Sequence, residues 1–141
     1  MTPSQTTLVR ESFALVQPIA DAAAALFYAN LFEADPSVRG LFRGDLGEQG
    51  RRLFHMIGNG VALLDRPAHL LPVLRSLGAL HTAYGVEEHH YDTVGAVLLH
   101  TLSQGLGERF SPEVQDAWRA FYLLVATTMR EGARDALAAA A

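Results

Sequence analysis

Between its prolines and glycines this chain repeats apolar residues every third or fourth position, and nowhere does it alternate them every second. A spacing of three to four puts such residues on one face of a helix, whereas a half-buried strand needs a period of two. The fold open to the chain is therefore all-α, with short helices meeting at sharp corners rather than a long parallel bundle. Thr2-Pro3-Ser4-Gln5 supplies a cap, a first-turn proline and a glutamine able to close a capping box. A first helix is expected from there to about Gln17, where Pro18 stops or redirects it. Ile19, Ala23, Leu26, Phe27 and Leu31 set a second helix over 19–34, and Asp35-Pro36 opens a short third that carries Val38, Leu41 and Phe42.

After a loop at Arg43-Gly44-Asp45-Leu46-Gly47, a fourth helix is expected over about 48–64, with Gln49, Leu53, Ile57, Val61 and Leu64 on one face. Asp65-Arg66-Pro67 breaks it. A fifth carries Leu70, Val73, Leu74, Leu77 and His81 and ends at Gly85. A sixth, over about 88–104, carries Tyr91, Val94, Leu98 and Leu102 and is closed by Gly105 and Gly107. Ser111-Pro112-Glu113 starts the last, with Val114, Trp118, Phe121, Val125 and Met129 inward. The alanine-rich tail at 136–141 is expected to fray. The expectation is about seven helices in a single domain spanning residues 1–141.

Composition narrows the function. A hydrophobic half and a charged fraction of 18% are globular values. A net charge of −4 without a basic run argues against nucleic acid and against an anionic membrane surface. The absence of cysteine excludes disulfides, thiolate catalysis, cysteine-ligated zinc, iron–sulfur clusters and covalent haem attachment through C-x-x-C-H. It fits a reducing compartment, and a cytoplasmic location is the expectation. Arg10 and Glu11 interrupt any signal-peptide core, and the longest apolar run, Ala22 to Ala29, is too short to span a bilayer.

His81 is the most informative residue. It lies four positions after Leu77 on an otherwise apolar stripe, and a neutral imidazole facing an apolar cavity is what a haem iron requires. Gln49 heads the apolar face of the fourth helix, and Tyr28 sits beside Phe27 in the second. Tyr91 comes ten residues after His81, across the Gly85 corner. Taken singly, each has a plainer reading: a hydrogen-bonded core histidine, a helix-start amide, two core aromatics with wet tips. His55 points away from Gln49, and His69, His89, His90 and His100 read as surface or boundary residues. Glu87-x-x-His90 is half of a di-iron motif whose second half the chain lacks. No G-x-S-x-G, P-loop or dinucleotide-binding glycine loop is present.

In order along the chain, these residues resemble the bacterial single-domain globins and the haem domain of the flavohaemoglobins, from about Leu8 to Met129. Leu26-Phe27-Tyr28-Ala29-Asn30-Leu31-Phe32 is similar to that family's second helix with its distal tyrosine. Pro36 followed by Phe42 is similar to the third helix, whose phenylalanine packs on the haem. Gln49 and Leu53 match the distal glutamine and leucine. His81, within Leu77-Gly78-Ala79-Leu80-His81-Thr82-Ala83-Tyr84-Gly85-Val86, matches the proximal ligand. His89-His90-Tyr91-Asp92-Thr93-Val94-Gly95 matches the next helix with its proximal tyrosine, and Asp116-Ala117-Trp118 with Tyr122 the last.

The resemblance implies a globin fold around haem b, ligated by His81 and open to dioxygen, nitric oxide and carbon monoxide on the other side. Tyr28 and Gln49 would stabilise a polar ligand. Phe42, Leu53, Leu77, Val86, Val94 and Leu98 would line the pocket, with Tyr91 near His81. Arg52 either reaches a haem propionate or stays a solvated charge. Where the family places a glutamate that polarises the histidine through the tyrosine, spacing from Trp118 falls nearer Ala133 than Glu131, which puts that relay in question. The function implied is dioxygen binding with nitric oxide oxidation, fed by a separate reductase. Dioxygen storage or delivery, and gas sensing, are the alternatives.

Overall fold

The computed structural model describes residues 1–140. Helix α1, Pro3–Val16, starts as its sequence requires: the Gln5 N–H donates to Thr2 Oγ1 at 3.1 Å, and Gln5 Oε1 accepts from the Thr2 N–H at 3.0 Å. Pro18 ends it in a 3₁₀ turn, and α2 follows over Ala20–Ala34. The expected third helix is a 3₁₀ turn, Pro36–Leu41, capped by the Asp35 carboxylate on the Ser37 N–H. Then come α3 (Leu46–Ala62), α4 (Pro67–Ala83), α5 (Glu88–Leu106) and α6 (Pro112–Ala140). No strand occurs among the described residues.

Two boundaries differ from the sequence expectation. Helix α3 begins at Leu46, inside the expected loop, because Asp45 accepts the Gly47 N–H at 2.8 Å and starts the helix there. Gly105 stays within α5, and Gly107, at φ +57°, is the glycine that ends it, in a conformation costly for any side chain. Helix α6 runs on to Ala140, through the stretch where fraying is expected, and residues 138–140 are exposed. Alanine has the highest helix propensity of the residues available to such an end. Ala141 lies outside the described residues.

The core forms where the apolar faces of α1, α2, α5 and α6 meet. Trp118 is 1% exposed, and its indole N–H donates to the buried Ser12 hydroxyl at 2.8 Å. Phe13 and Phe121 pack against its ring. The stretch Pro3–Ala34 is long and apolar enough, by composition, to cross a membrane. Here Pro18 divides it, and Val9, Phe13, Val16, Phe27 and Leu31 spend its apolar face on the protein core. Helix α4 packs chiefly on α6. Their backbones approach so closely that a Cβ on Gly78 would overlap the Met129 carbonyl, and one on Gly132 would overlap that of Arg75. Leaning on α6, α4 is held away from α3, and a cavity lies between them.

Candidate functional site

The cavity measures about 380 Å³ and its walls are almost entirely apolar side chains. Tyr28 enters from α2, Phe42 from the end of the 3₁₀ turn, Gln49 and Leu53 from α3, and Leu77 and His81 from α4. Val86 comes from the corner after α4, and Tyr91, Val94 and Leu98 from α5. Ten of the eleven candidate positions thus converge on one space. Arg52 does not: its side chain is 73% exposed and pairs with Glu48 at 3.7 Å, one helical turn back. Three residues on from Gln49 it is only about 60° round the helix, so the pairing with Glu48, and not the helix period, turns it to solvent.

His81 Nδ1 lies 2.7 Å from the Leu77 carbonyl oxygen. A carbonyl only accepts, so Nδ1 carries the ring proton and the lone pair is left on Nε2. The carbonyl four residues earlier takes this nitrogen, and Tyr91, expected near His81, does not. The Tyr91 hydroxyl is buried with no hydrogen-bond partner. The rest of that residue is tightly held: Tyr122 donates to its carbonyl at 2.6 Å, and the Arg130 guanidinium sits 5.1 Å above its ring. Gly95 makes this possible, since any Cβ there would run into the Tyr122 ring. Burial raises the hydroxyl pKa of both Tyr91 and Tyr122, so both remain neutral phenols.

Tyr28 is 5% exposed and belongs to an aromatic group with Phe27, Phe32 and Phe42, whose ring stands edge-on at 5.2 Å. Burial raises its pKa as well, which keeps the hydroxyl protonated and able to donate. Gln49 Nε2 donates to the Arg43 carbonyl, which commits one of its two N–H groups to the corner before α3. Glu131 pairs with Arg75 at 3.5 Å, with both side chains about half exposed. The charged group that reaches Tyr91 is Arg130, which is itself paired with Asp92 at 2.9 Å.

One residue read from sequence as surface or boundary is neither. His90 is 8% exposed, lines the cavity, and accepts the Glu87 N–H on Nδ1 at 2.8 Å, so that it caps α5. Its position three residues after Glu87, where a capping-box side chain folds back, was the available signal. Phe121, Val125 and Met129, expected only as inward residues of the last helix, also line the cavity.

The Globin family model matches residues 25–129. The chain is a globin. Over its full length this globin is 30% identical to the flavohemoprotein of Bordetella parapertussis across 144 aligned positions, yet it covers 36% of that protein. It is 27% identical to the flavohemoprotein of Vibrio cholerae, with 94% of this chain and 35% of the relative aligned. The chain thus spans about a third of the length of these relatives. It also aligns end to end with a protein of similar size, the anaerobic nitrite reductase AHB2 of Arabidopsis thaliana, at 27% identity over 92% of this chain and 94% of that one. Membership of the globin family, with flavohemoproteins among its relatives, supports haem binding and haem-based binding of gases in this chain.

Proposed function

We propose that this globin binds haem b in the cavity through His81, holds dioxygen there, and oxidises nitric oxide to nitrate when a separate reductase supplies electrons. The observation that carries this reading is the convergence of a histidine with a free Nε2 lone pair and a buried, protonated tyrosine on one apolar cavity. The residues present fit the group. The apolar walls suit a flat macrocycle, His81 offers one neutral nitrogen, and the orphaned Tyr91 hydroxyl leaves a buried donor free toward the cavity. When bound, haem supplies a ferrous iron with an open coordination position for a diatomic gas.

The chain's own residues then decide which gas is held. His81 would ligate the iron through Nε2, and its Nδ1–H bond to the Leu77 carbonyl holds the ring's orientation. Tyr28 is the main donor to a polar ligand, and the second N–H of Gln49 assists it. Such a bond is worth about 1.5–3 kcal/mol. That corresponds to slowing of dioxygen loss by roughly ten- to over a hundredfold. Tyr28→Phe is therefore expected to raise the dioxygen dissociation rate at least about tenfold, and that of the less polar carbon monoxide much less. Flash photolysis and ligand replacement measure both. Equal shifts for the two gases would assign Tyr28 a steric role, and no shift would move the donor role to Gln49.

The turnover part makes its own prediction. Dioxygen and nitric oxide held together in a small apolar cavity react with the advantage of proximity. Conversion of nitric oxide and dioxygen to nitrate takes up one electron, which bound haem would supply, so the reaction is expected to be fast and to run once per chain until a reductant is added. Stopped-flow mixing of the oxygenated protein with nitric oxide, with and without an added flavin reductase, reads the burst and the sustained rate. A slow first turnover would leave storage or sensing as the function. Sustained turnover with NADH alone would place a reductant site in these 141 residues.

A further inference from the structure

We propose that Asp35, His89 and His90 form a binding site for one divalent transition ion of the zinc class, at the edge of the globin cavity. Each offers one ligand atom, and these atoms lie within 4.8 Å of one another. The site joins two distant parts of the chain, the corner between α2 and the 3₁₀ turn and the first turn of α5. Two imidazoles and one carboxylate are the donor set that borderline ions such as Zn²⁺ take up, with metal–ligand bonds near 2 Å and a fourth position open to water. A tetrahedron with bonds of about 2 Å holds its ligand atoms roughly 3.3 Å apart, so atoms within 4.8 Å of one another need at most a modest drawing-in by the ion.

Each side chain is already prepared for part of this task. Asp35 accepts the Ser37 N–H and hydroxyl through Oδ1, at 3.1 and 2.6 Å, which leaves Oδ2 for an ion. The Ser37 hydrogen bonds hold its carboxyl below its ordinary range, so it stays an anion. His89 is exposed, which gives an ion a route in, and its Nδ1 faces Glu87 Oε2 at 3.4 Å. A proton on Nδ1 toward that carboxylate leaves the lone pair on Nε2, the outer-carboxylate arrangement common at zinc-ligating histidines. The rings of His89 and His90 lie 4.2 Å apart.

His90 sets the cost and provides the signature. Its Nδ1 accepts the Glu87 N–H, so the neutral ring carries its proton on Nε2. An ion at Nε2 drives that proton onto Nδ1, against the N–H. An ion at Nδ1 displaces the N–H outright. Either way the cap of α5 is released when the site fills, and the loss of that hydrogen bond weakens binding. Because His90 also lines the cavity, the bound ion would fix one wall of the gas-binding space.

Zinc titration of the isolated chain, by calorimetry and by competition with a chromogenic chelator, tests the site without reference to activity. One zinc per chain is expected. His89→Gln and Asp35→Asn should each weaken binding at least about tenfold, while His69→Gln, an exposed histidine elsewhere, should change nothing. Asparagine keeps the cap on Ser37, so Asp35→Asn removes the charge and not the fold. Hydrogen exchange supplies the independent readout: the Glu87 amide should lose protection on zinc addition. Equal binding by all three variants and the parent, no saturable binding, or saturable binding with the Glu87 amide still protected would each overturn the three-residue site.

Discussion

His81→Ala should yield a folded chain that no longer retains haem at normal stoichiometry. Alanine deletes the one imidazole among the described residues whose lone pair is set free toward the cavity by a hydrogen bond on its other nitrogen. The remaining histidines offer no ready replacement. His55, His69, His89 and His100 are exposed. His90 lines the same cavity, but its Nδ1 is engaged by the Glu87 N–H and its neutral ring is protonated on Nε2. Outer partners of metal ligands are themselves worth about 10–100-fold in affinity. Loss of the ligand should therefore weaken haem binding by on the order of a hundredfold or more. Haemochrome assay against protein concentration gives the stoichiometry, and circular dichroism shows that the helices persist. Added imidazole should restore part of the binding by filling the space left at residue 81. Full haem content with unchanged axial ligation in His81→Ala would remove the basis for the proposed function.

What was legible in the sequence follows from how local each signal is. The starts of α1 and of the 3₁₀ turn are written in three or four consecutive residues, Thr2-Pro3-Ser4-Gln5 and Asp35-Pro36-Ser37, and the structure makes those very bonds. The helical stripes of α3, α4 and α5 placed Leu53, Leu77, His81, Val94 and Leu98 on one cavity because a 3.6-residue period fixes the facing side. Capping by Asp45 is equally local, but Gly44 and Gly47 on either side read as loop and hid it.

Side-chain direction beyond the helix face was not legible. Tyr91 was expected within reach of His81, yet its carbonyl is held by Tyr122 and its ring by Arg130, partners 31 and 39 residues away. Arg52 had two possible ends, and the nearby Glu48 decided between them. His90 was assigned to the boundary because a histidine at the third position of a helix folds back to cap only when its chain neighbours allow it. Glycines were the largest omission. Gly78 and Gly132 sit inside helices, where glycine costs about 1 kcal/mol relative to alanine, and that local cost signals a close approach whose partner a single sequence does not name.

Gly78→Ala is accordingly expected to reverse the usual sign of a helix-interior glycine substitution. On an open helix face the change would stabilise by roughly 0.5–1 kcal/mol. Here the new methyl overlaps the Met129 carbonyl oxygen and its carbon, which belong to backbone and cannot rotate away. The two helices must part, and Gly132 against the Arg75 carbonyl shows that the contact is tight on both sides of the crossing. Overpacking of this kind costs about 1–3 kcal/mol, and more where only backbone movement relieves it. A loss near 3 kcal/mol lowers the melting temperature of a domain this size by roughly 6–12 °C. Because α4 has little other support and His81 lies one turn beyond Gly78, haem retention should fall together with stability. Gly40→Ala is the control: a Cβ there meets nothing within 4 Å and its backbone is not left-handed, so its melting temperature should stay near that of the parent. Thermal unfolding of the haem-loaded proteins decides the matter. A Gly78→Ala protein that melts with the parent would mean that α4 and α6 can separate without cost, and that their crossing does not set where His81 stands.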